Sequence, residues 1–193
     1  MSVTPGKEDR QEQDIKPQGL SKQEIVRRLI ILFIVAGISV YLDQVTKQWA
    51  IDNLKGEPTR YYLGGILQLL YATNEGAFGS LGSSWPDEVR FWALTVGPIL
   101  FLFIFTIHVL LSRQYSRFEF YAFTLIIGGG IGNLIDRARF QYVVDFLYMG
   151  IGKIGTNIFN IADFVIVIGF VMMLWQWFRT WREQKSRPSQ SPT

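Results

Sequence analysis

Acidic side chains sit where a strongly apolar sequence has least reason to carry them. Asp43, Asp136 and Asp163 each fall at or near the end of a long, nearly uncharged stretch, together with Lys47, Asn133, Arg137 and Asn160, and Asp145 lies between two such stretches. An ionisable group inside a hydrocarbon span costs roughly 2.5–3.5 kcal/mol on insertion scales, so such residues need a partner or a function. Asp43 and Lys47 stand four residues apart with the acid first, the favourable order for an ion pair along a helix. Asn133 precedes Asp136 by three residues and Arg137 by four, which puts all three on one helical face. Asn160 and Asp163, three apart, point an amide and a carboxylate into the same place. Helix caps and interfacial ion pairs account readily for Asp43 with Lys47, but poorly for the whole set.

Two carboxyl groups brought together cannot both ionise cheaply. One keeps its proton, held by desolvation and by the charge of its neighbour, while the other stays anionic. Such a dyad takes a proton from water with one member and gives a proton to a carbonyl oxygen with the other, the chemistry of an aspartic protease. It needs no cysteine, histidine or metal. The chain has no Cys and a single His, which removes disulfides, a thiolate nucleophile and Cys-ligated metal, and argues against a Ser-His-Asp triad or a multi-His site. No metal or cofactor is expected. Asp43 has Lys47 to pair with and Asp136 has Arg137 beside it, and a nearby cation suits a charged structural anchor. Asp145 and Asp163 are followed by Phe146-Leu147 and Phe164-Val165 and have no adjacent cation, so they are preferred for the shared proton. Local sequence gives that preference without closing the choice.

The elements that must position these groups are membrane spans. In 193 residues, 49% are hydrophobic and only 18% charged, and the mean hydropathy is +0.18, a composition opposed to disorder. Against the roughly 20 apolar residues that cross a bilayer core, four stretches qualify: about 26–50, 91–111, 118–135 and 159–178. Trp175, Trp177 and Phe178 close the last, as an interfacial belt does. Twelve of the 19 basic residues lie in the N-terminal tail, the loop between spans two and three, and the C-terminal tail. The positive-inside rule then puts both termini in the cytoplasm and segments 51–90 and 136–158 outside, so all the polar clusters converge on the outer leaflet. The basic residues form no single face, so the pI near 9.2 does not indicate nucleic acid. A cleaved signal peptide fits poorly, because a long polar segment precedes the first apolar run and no A-x-A site follows it.

The fold class expected is an all-α membrane protein, a four-transmembrane-helix bundle with a small extracytoplasmic β-sheet between helices 1 and 2. That sheet is read from residues 61–63 and 66–71, with Gly64-Gly65 as the turn. Residues 74–83 read as a Gly/Ser-rich loop, and Asp145 falls on a loop between the last two spans. Residues 1–24 and 181–193 read as disordered cytoplasmic tails around a membrane domain over 25–180. Pro98 predicts a kink in span two. Gly128 and Gly132 read as a close helix contact rather than a nucleotide loop. His108 reads as an interfacial or packing residue, and Phe101, Phe103 and Phe105 as lipid-facing or packing surface.

Five motifs occur in order: Asp43-Gln44-Val45-Thr46-Lys47, Asn74-Glu75-Gly76-Ala77-Phe78, Gly132-Asn133-Leu134-Ile135-Asp136-Arg137, Val143-Val144-Asp145-Phe146 and Phe159-Asn160-Ile161-Ala162-Asp163. In these the chain resembles the bacterial lipoprotein signal peptidases (signal peptidase II), four-span aspartyl proteases of the inner membrane. The resemblance covers about residues 26–178. It implies that Asp145 and Asp163 are the catalytic pair and that Asp43, Lys47, Asn74, Asn133, Asp136, Arg137 and Asn160 shape or line the site. It also implies a substrate: a prolipoprotein whose lipobox cysteine carries diacylglyceryl, cut just before that cysteine. The partners it implies are such substrates and membrane lipids, with no nucleic acid and the enzyme a monomer. Two departures stand out. Only Ala77 separates Gly76 from Phe78, where two small residues are usual, and Phe164 follows the final Asp where a small residue is common, which would narrow the pocket. A proton- or ion-coupled transporter is the rival of another class, but such proteins place their acids near the midplane of repeated halves, and no repeat is present here.

Overall fold

The computed structural model describes residues 20–77, 81–152 and 154–186. Four helices are long and apolar enough to cross a membrane: α1 (Lys22–Leu54), the segment Asp87–Leu111, α4 (Arg117–Phe140) and α5 (Ile161–Lys185). α1 begins at Lys22 and α5 runs to Lys185; the remainder of the expected tails, 1–19 and 187–193, lies outside the described residues.

Local sequence starts these helices. Ser116 and Glu119 close a reciprocal capping box on α4: the Glu119 N–H donates to Ser116 Oγ at 3.2 Å and the Ser116 N–H to Glu119 Oε2 at 2.8 Å. The second span divides into α2 (Asp87–Phe91), a π-helical turn (Trp92–Val96) and α3 (Gly97–Leu111), with Pro98 in the first turn of α3. Proline has no N–H to continue the ladder. The Gly97 N–H reaches back to Trp92 O instead, so the expected kink takes the form of a π-bulge.

Small residues then set how the helices pack. α4 lies parallel to α1: a Cβ on Gly128 would stand 2.9 Å from Ser39 Cβ, and one on Gly132 would stand 2.6 Å from Asp43 Oδ2. α5 lies antiparallel to α4, with Gly129 against the Ala162 carbonyl and Gly169 against that of Ala122. The close contact read from Gly128 and Gly132 is thus present on one side of α4, and Gly129 makes another on the opposite side. Gly129→Ala meets backbone that cannot move aside, and a destabilisation of ~1–3 kcal/mol is expected. Gly37→Ala, with no atom within 4 Å of the new methyl, should leave stability unchanged or slightly raised. Thermal unfolding of the two variants in detergent checks the contrast. Large apolar side chains face outward, as a lipid solvent permits: Phe33 is 82% exposed, and Phe101 and Phe103 are exposed as well. Phe105 packs on Phe123 at 5.3 Å between ring centroids.

A four-stranded antiparallel sheet, in the order β1-β2-β3-β4, closes one end of the bundle. β1 (Arg60–Tyr62) and β2 (Leu67–Asn74) flank a 3-10 turn (Leu63–Gly65) in which Gly64 and Gly65 take φ values of +67° and +92°, open to glycine without strain. This is the hairpin expected between the first two spans. The other half of the sheet was not expected. β3 (Val143–Ile151) and β4 (Ile154–Gly155) come from between α4 and α5, and β3 pairs with β2 so that Ala72 faces Asp145 and Asn74 faces Val143. Asp145 therefore lies on a strand rather than a loop. A strand that finds its partner some seventy residues away has no local turn to announce it.

Candidate active site

At the sheet end of the bundle, α1, α4 and α5 bring their polar residues to one buried cluster. Lys47, 2% exposed, is its centre: Nζ lies 2.8 Å from Asp43 Oδ2 and 3.0 Å from Asp136 Oδ2, and donates to Asn133 Oδ1 at 2.9 Å. Asp43 Oδ1 accepts the Ala162 N–H at 2.9 Å, in the first turn of α5, where a helix N-terminus favours an anion. Asp136 Oδ2 accepts the Val144 N–H at 3.0 Å. Gln44 Nε2 donates to Asp136 Oδ1 at 3.0 Å and to Asp43 Oδ2 at 3.2 Å. One ammonium and two carboxylates thus tie α1 to α4, to the head of α5 and to β3.

A layer of asparagines carries that fixed charge outward. Asn133 Oδ1, already bound to Lys47, also accepts from Asn160 Nδ2 at 3.1 Å. Its oxygen being occupied, Asn133 turns its Nδ2 to Asp163 Oδ1 at 2.8 Å. Asn160 Nδ2 likewise donates to Asp145 Oδ1 at 2.7 Å. Asn160 caps α5 and exchanges hydrogen bonds with Asp163 three residues on, at 2.9 and 3.3 Å between backbone N–H and side-chain oxygen. That box fixes the Asp163 rotamer before any tertiary contact is made. Asn74, at the end of β2, donates to Asp145 Oδ2 at 3.3 Å. Arg137 Nη2 donates to the Gly76 carbonyl at 2.6 Å and holds the chain leaving β2 over the site.

Among the described residues, Asp145 and Asp163 are the two acids of this cluster without an ion-pair partner. Asp145 is 3% exposed and Asp163 half-buried. Burial first, and then the charge of Asp163, push the Asp145 carboxyl up to about 7, against the opposing pull of Asn160, Asn74 and Lys47. Beside Asp145 an open groove of about 500 Å³ runs along the sheet, lined by Gln68, Leu70, Ala72, Asn74, Tyr148 and Thr156 among others. A buried acid that keeps its proton near neutral pH, next to a second carboxyl, can give and take protons across a peptide carbonyl and a water lying in that groove.

All nine site residues expected from sequence meet here, with one partner exchanged. Asp136 pairs with Lys47 and not with Arg137, because successive residues on a helix point about 100° apart and cannot face each other. The same geometry turns Phe164 away from Asp163; it is 53% exposed and lies outside the groove, so it does not narrow it. Gln44 also belongs to the cluster and is not among the residues expected from sequence, although it stands beside Asp43 in the Asp43–Lys47 motif. The reciprocal Asn160–Asp163 cap was also legible as an N-cap amide followed three residues later by an acid. His108 shares a hydrogen bond with Tyr115 Oη at 2.9 Å, at the opposite end of the bundle. Residues 78–80 of the expected loop 74–83 lie outside the described residues.

Residues 34–179 match the family model described as signal peptidase (SPase) II. A lipoprotein signal peptidase of Oleidesulfovibrio alaskensis is 36% identical over 146 residues, covering 74% of this chain and 90% of that protein. One from Streptococcus agalactiae is 30% identical over 159 residues, covering 82% of this chain and 97% of its own length. Among solved structures, one described as a bacterial membrane enzyme superposes with a TM-score of 0.64 at 25% identity, covering 84% of this chain and 93% of its own.

Proposed function

The chain belongs to the signal peptidase II family, and from that premise we propose that it removes the signal peptide from prolipoproteins by an aspartic dyad, Asp145 with Asp163. The scissile bond is the one before a lipobox cysteine that already carries diacylglyceryl. The observation that carries the dyad is the pair of carboxyls, without an ion pair among the described residues, held by Asn160 and Asn133 on a framework charged by Lys47. In this reading the anionic carboxylate takes a proton from water as the water oxygen attacks the scissile carbonyl carbon. The protonated carboxyl gives its proton to the carbonyl oxygen, and the tetrahedral intermediate collapses with a proton passed to the departing amine. Asn74, Asn133 and Asn160 hold the acids in place, Asp43, Lys47, Asp136 and Arg137 hold the asparagines and the β2 end, and the groove receives the peptide.

The membrane suits that substrate. Acyl chains on the cysteine stay in the bilayer while the apolar signal helix lies beside the spans, which leaves the scissile bond near an interface that water reaches. Positive-inside counting puts the termini in the cytoplasm and the sheet and dyad at the outer leaflet of the inner membrane. The enzyme acts as a monomer in this proposal. Purified protein in detergent should shorten a diacylglyceryl-modified prolipoprotein and leave the unmodified precursor intact; equal cutting of both would remove lipid recognition from the proposal.

The pH response has a defined sign. With the Asp145 carboxyl raised to about 7, the form with one shared proton persists below that value and is lost as pH rises through it. Cleavage should therefore fall on the alkaline side of about pH 7. A rate that is flat from about pH 6 to about pH 9 would count against a shared proton.

A further inference from the structure

At the end of the bundle opposite the dyad, the first turns of α1 and α4 enclose a small cleft of about 100 Å³, lined by Glu24, Arg27, Arg28, Ile31, Arg117, Phe120 and Tyr121. Three arginines face one glutamate there, and two parallel helices add the positive ends of their dipoles. The arginines are not equally committed. Arg28, 7% exposed, donates through Nη1 to the carbonyls of Val109, Leu110 and Ser112 at 3.3, 3.2 and 2.6 Å, closing the end of α3. Its guanidinium also lies over the Phe120 ring, 5.2 Å from the centroid. Arg28 Nε lies 3.5 Å from Glu24 Oε1; Arg27, its side chain 42% exposed, is bound to Glu24 at 2.6 Å through Nη2, and its Nε atom, shielded from solvent, has no hydrogen-bond partner among the described residues. Arg117 has neither ion pair nor hydrogen bond from its side chain among them. A buried donor without an acceptor is costly, and here it stands in a cleft of net positive charge.

The surroundings say what the acceptor is. Arg27, Ile31 and Ile34 follow one another along one face of α1, and Arg117 and Tyr121 along one face of α4. Ile34 is 52% and Tyr121 41% exposed, so an apolar track leads from the cleft into the hydrocarbon layer. Room for roughly three water molecules suits a phosphate and not a peptide. We propose that this cleft binds the phosphate of an anionic phospholipid, with Arg27 and Arg117 on the phosphate oxygens and the acyl chains lying along the Ile31–Ile34 track. The site is separate from the dyad and does not depend on the peptidase reading.

The full chain, reconstituted in nanodiscs of equal phosphatidylglycerol and phosphatidylcholine and then extracted, should retain phosphatidylglycerol preferentially, as read by mass spectrometry of the co-purifying lipid. Arg27→Gln and Arg117→Gln should each reduce that enrichment about fivefold. Arg139→Gln, exposed at the other end of α4, should not. Both variants spare Arg28 and its α3 carbonyls, and unchanged helical circular dichroism shows that they fold. Enrichment that survives in the Arg27→Gln/Arg117→Gln double variant overturns the site, as does equal retention of the two lipids by the wild-type protein. Inorganic phosphate that displaces the phospholipid at millimolar concentration would make the cleft a free-anion site instead.

Discussion

Asp145→Asn and Asp163→Asn will each slow cleavage of a lipid-modified prolipoprotein by ~10²–10⁴-fold or more, the range that a positioned proton-transfer group supplies. If one proton and one water serve both acids, as proposed, the two losses will not add, and the double variant should fall little below either single one. Folding should respond in the other direction. The Asp145 carboxyl has its pKa raised in the folded protein, so at neutral and higher pH the folded state carries a penalty that the unfolded chain escapes. That penalty shrinks as pH falls from about 7 toward the ordinary carboxylate value of 3.8. The amide of Asp145→Asn carries no such penalty, and the variant should melt no lower than wild type at about pH 8. Inactivity combined with undiminished stability separates a chemical role from a structural one. Asp136→Asn supplies the contrast: it should lose stability as well as activity, since Lys47 and the Val144 N–H both rely on that carboxylate. Retained cleavage in Asp145→Asn or Asp163→Asn would end the dyad assignment.

Lys47→Met should be the most destabilising single substitution in the cluster, by ~3–5 kcal/mol, the usual cost of leaving a buried charge without its partner. Here one ammonium serves two carboxylates, Asp43 at 0% and Asp136 at 2% exposure, and no other cation is within ion-pair distance of either among the described residues. The same change leaves Asn160 Nδ2 as the remaining donor to Asn133 Oδ1, so the Asn133 amide is held less firmly with its N–H toward Asp163. Cleavage should therefore drop at temperatures where the protein is still folded. Lys47→Met combined with Asp43→Asn and Asp136→Asn removes all three charges and should recover much of the melting temperature. If the triple variant melts as low as Lys47→Met alone, the loss comes from packing and not from unpaired charge. Thermal unfolding in detergent, followed by tryptophan fluorescence or circular dichroism, decides between them.

These expectations rest on contacts of very different legibility. The i,i+4 spacing of Asp43 and Lys47 is a statement about one helix and can be read directly. So can the Asn160–Asp163 cap, the Ser116–Glu119 box and the four apolar spans, because each is a matter of neighbours along the chain. The partner of Asp136 could not be read this way. Arg137 is next to it in sequence, but Lys47 reaches it across the α1–α4 contact, and that contact exists because Gly128 and Gly132 let the helices approach. Asp145 reads as a loop residue for a related reason: its strand is defined by pairing with β2, and nothing near it in sequence states the register.

What the sequence determined by itself was the chemistry on offer: acids and amides in a lipid-soluble chain, no thiol, one histidine, and spacings that gather the polar groups at span ends. Composition and helical period are local properties, so they survive without a fold. Only the tertiary structure decided which acids meet the buried ammonium and which do not. That choice depends on where a single ammonium comes to rest, and a charge on one buried helix finds its partners through packing against the others. Lys47 settles between Asp43 and Asp136, while Asp145 and Asp163 form no ion pair among the described residues and are held by asparagine amides.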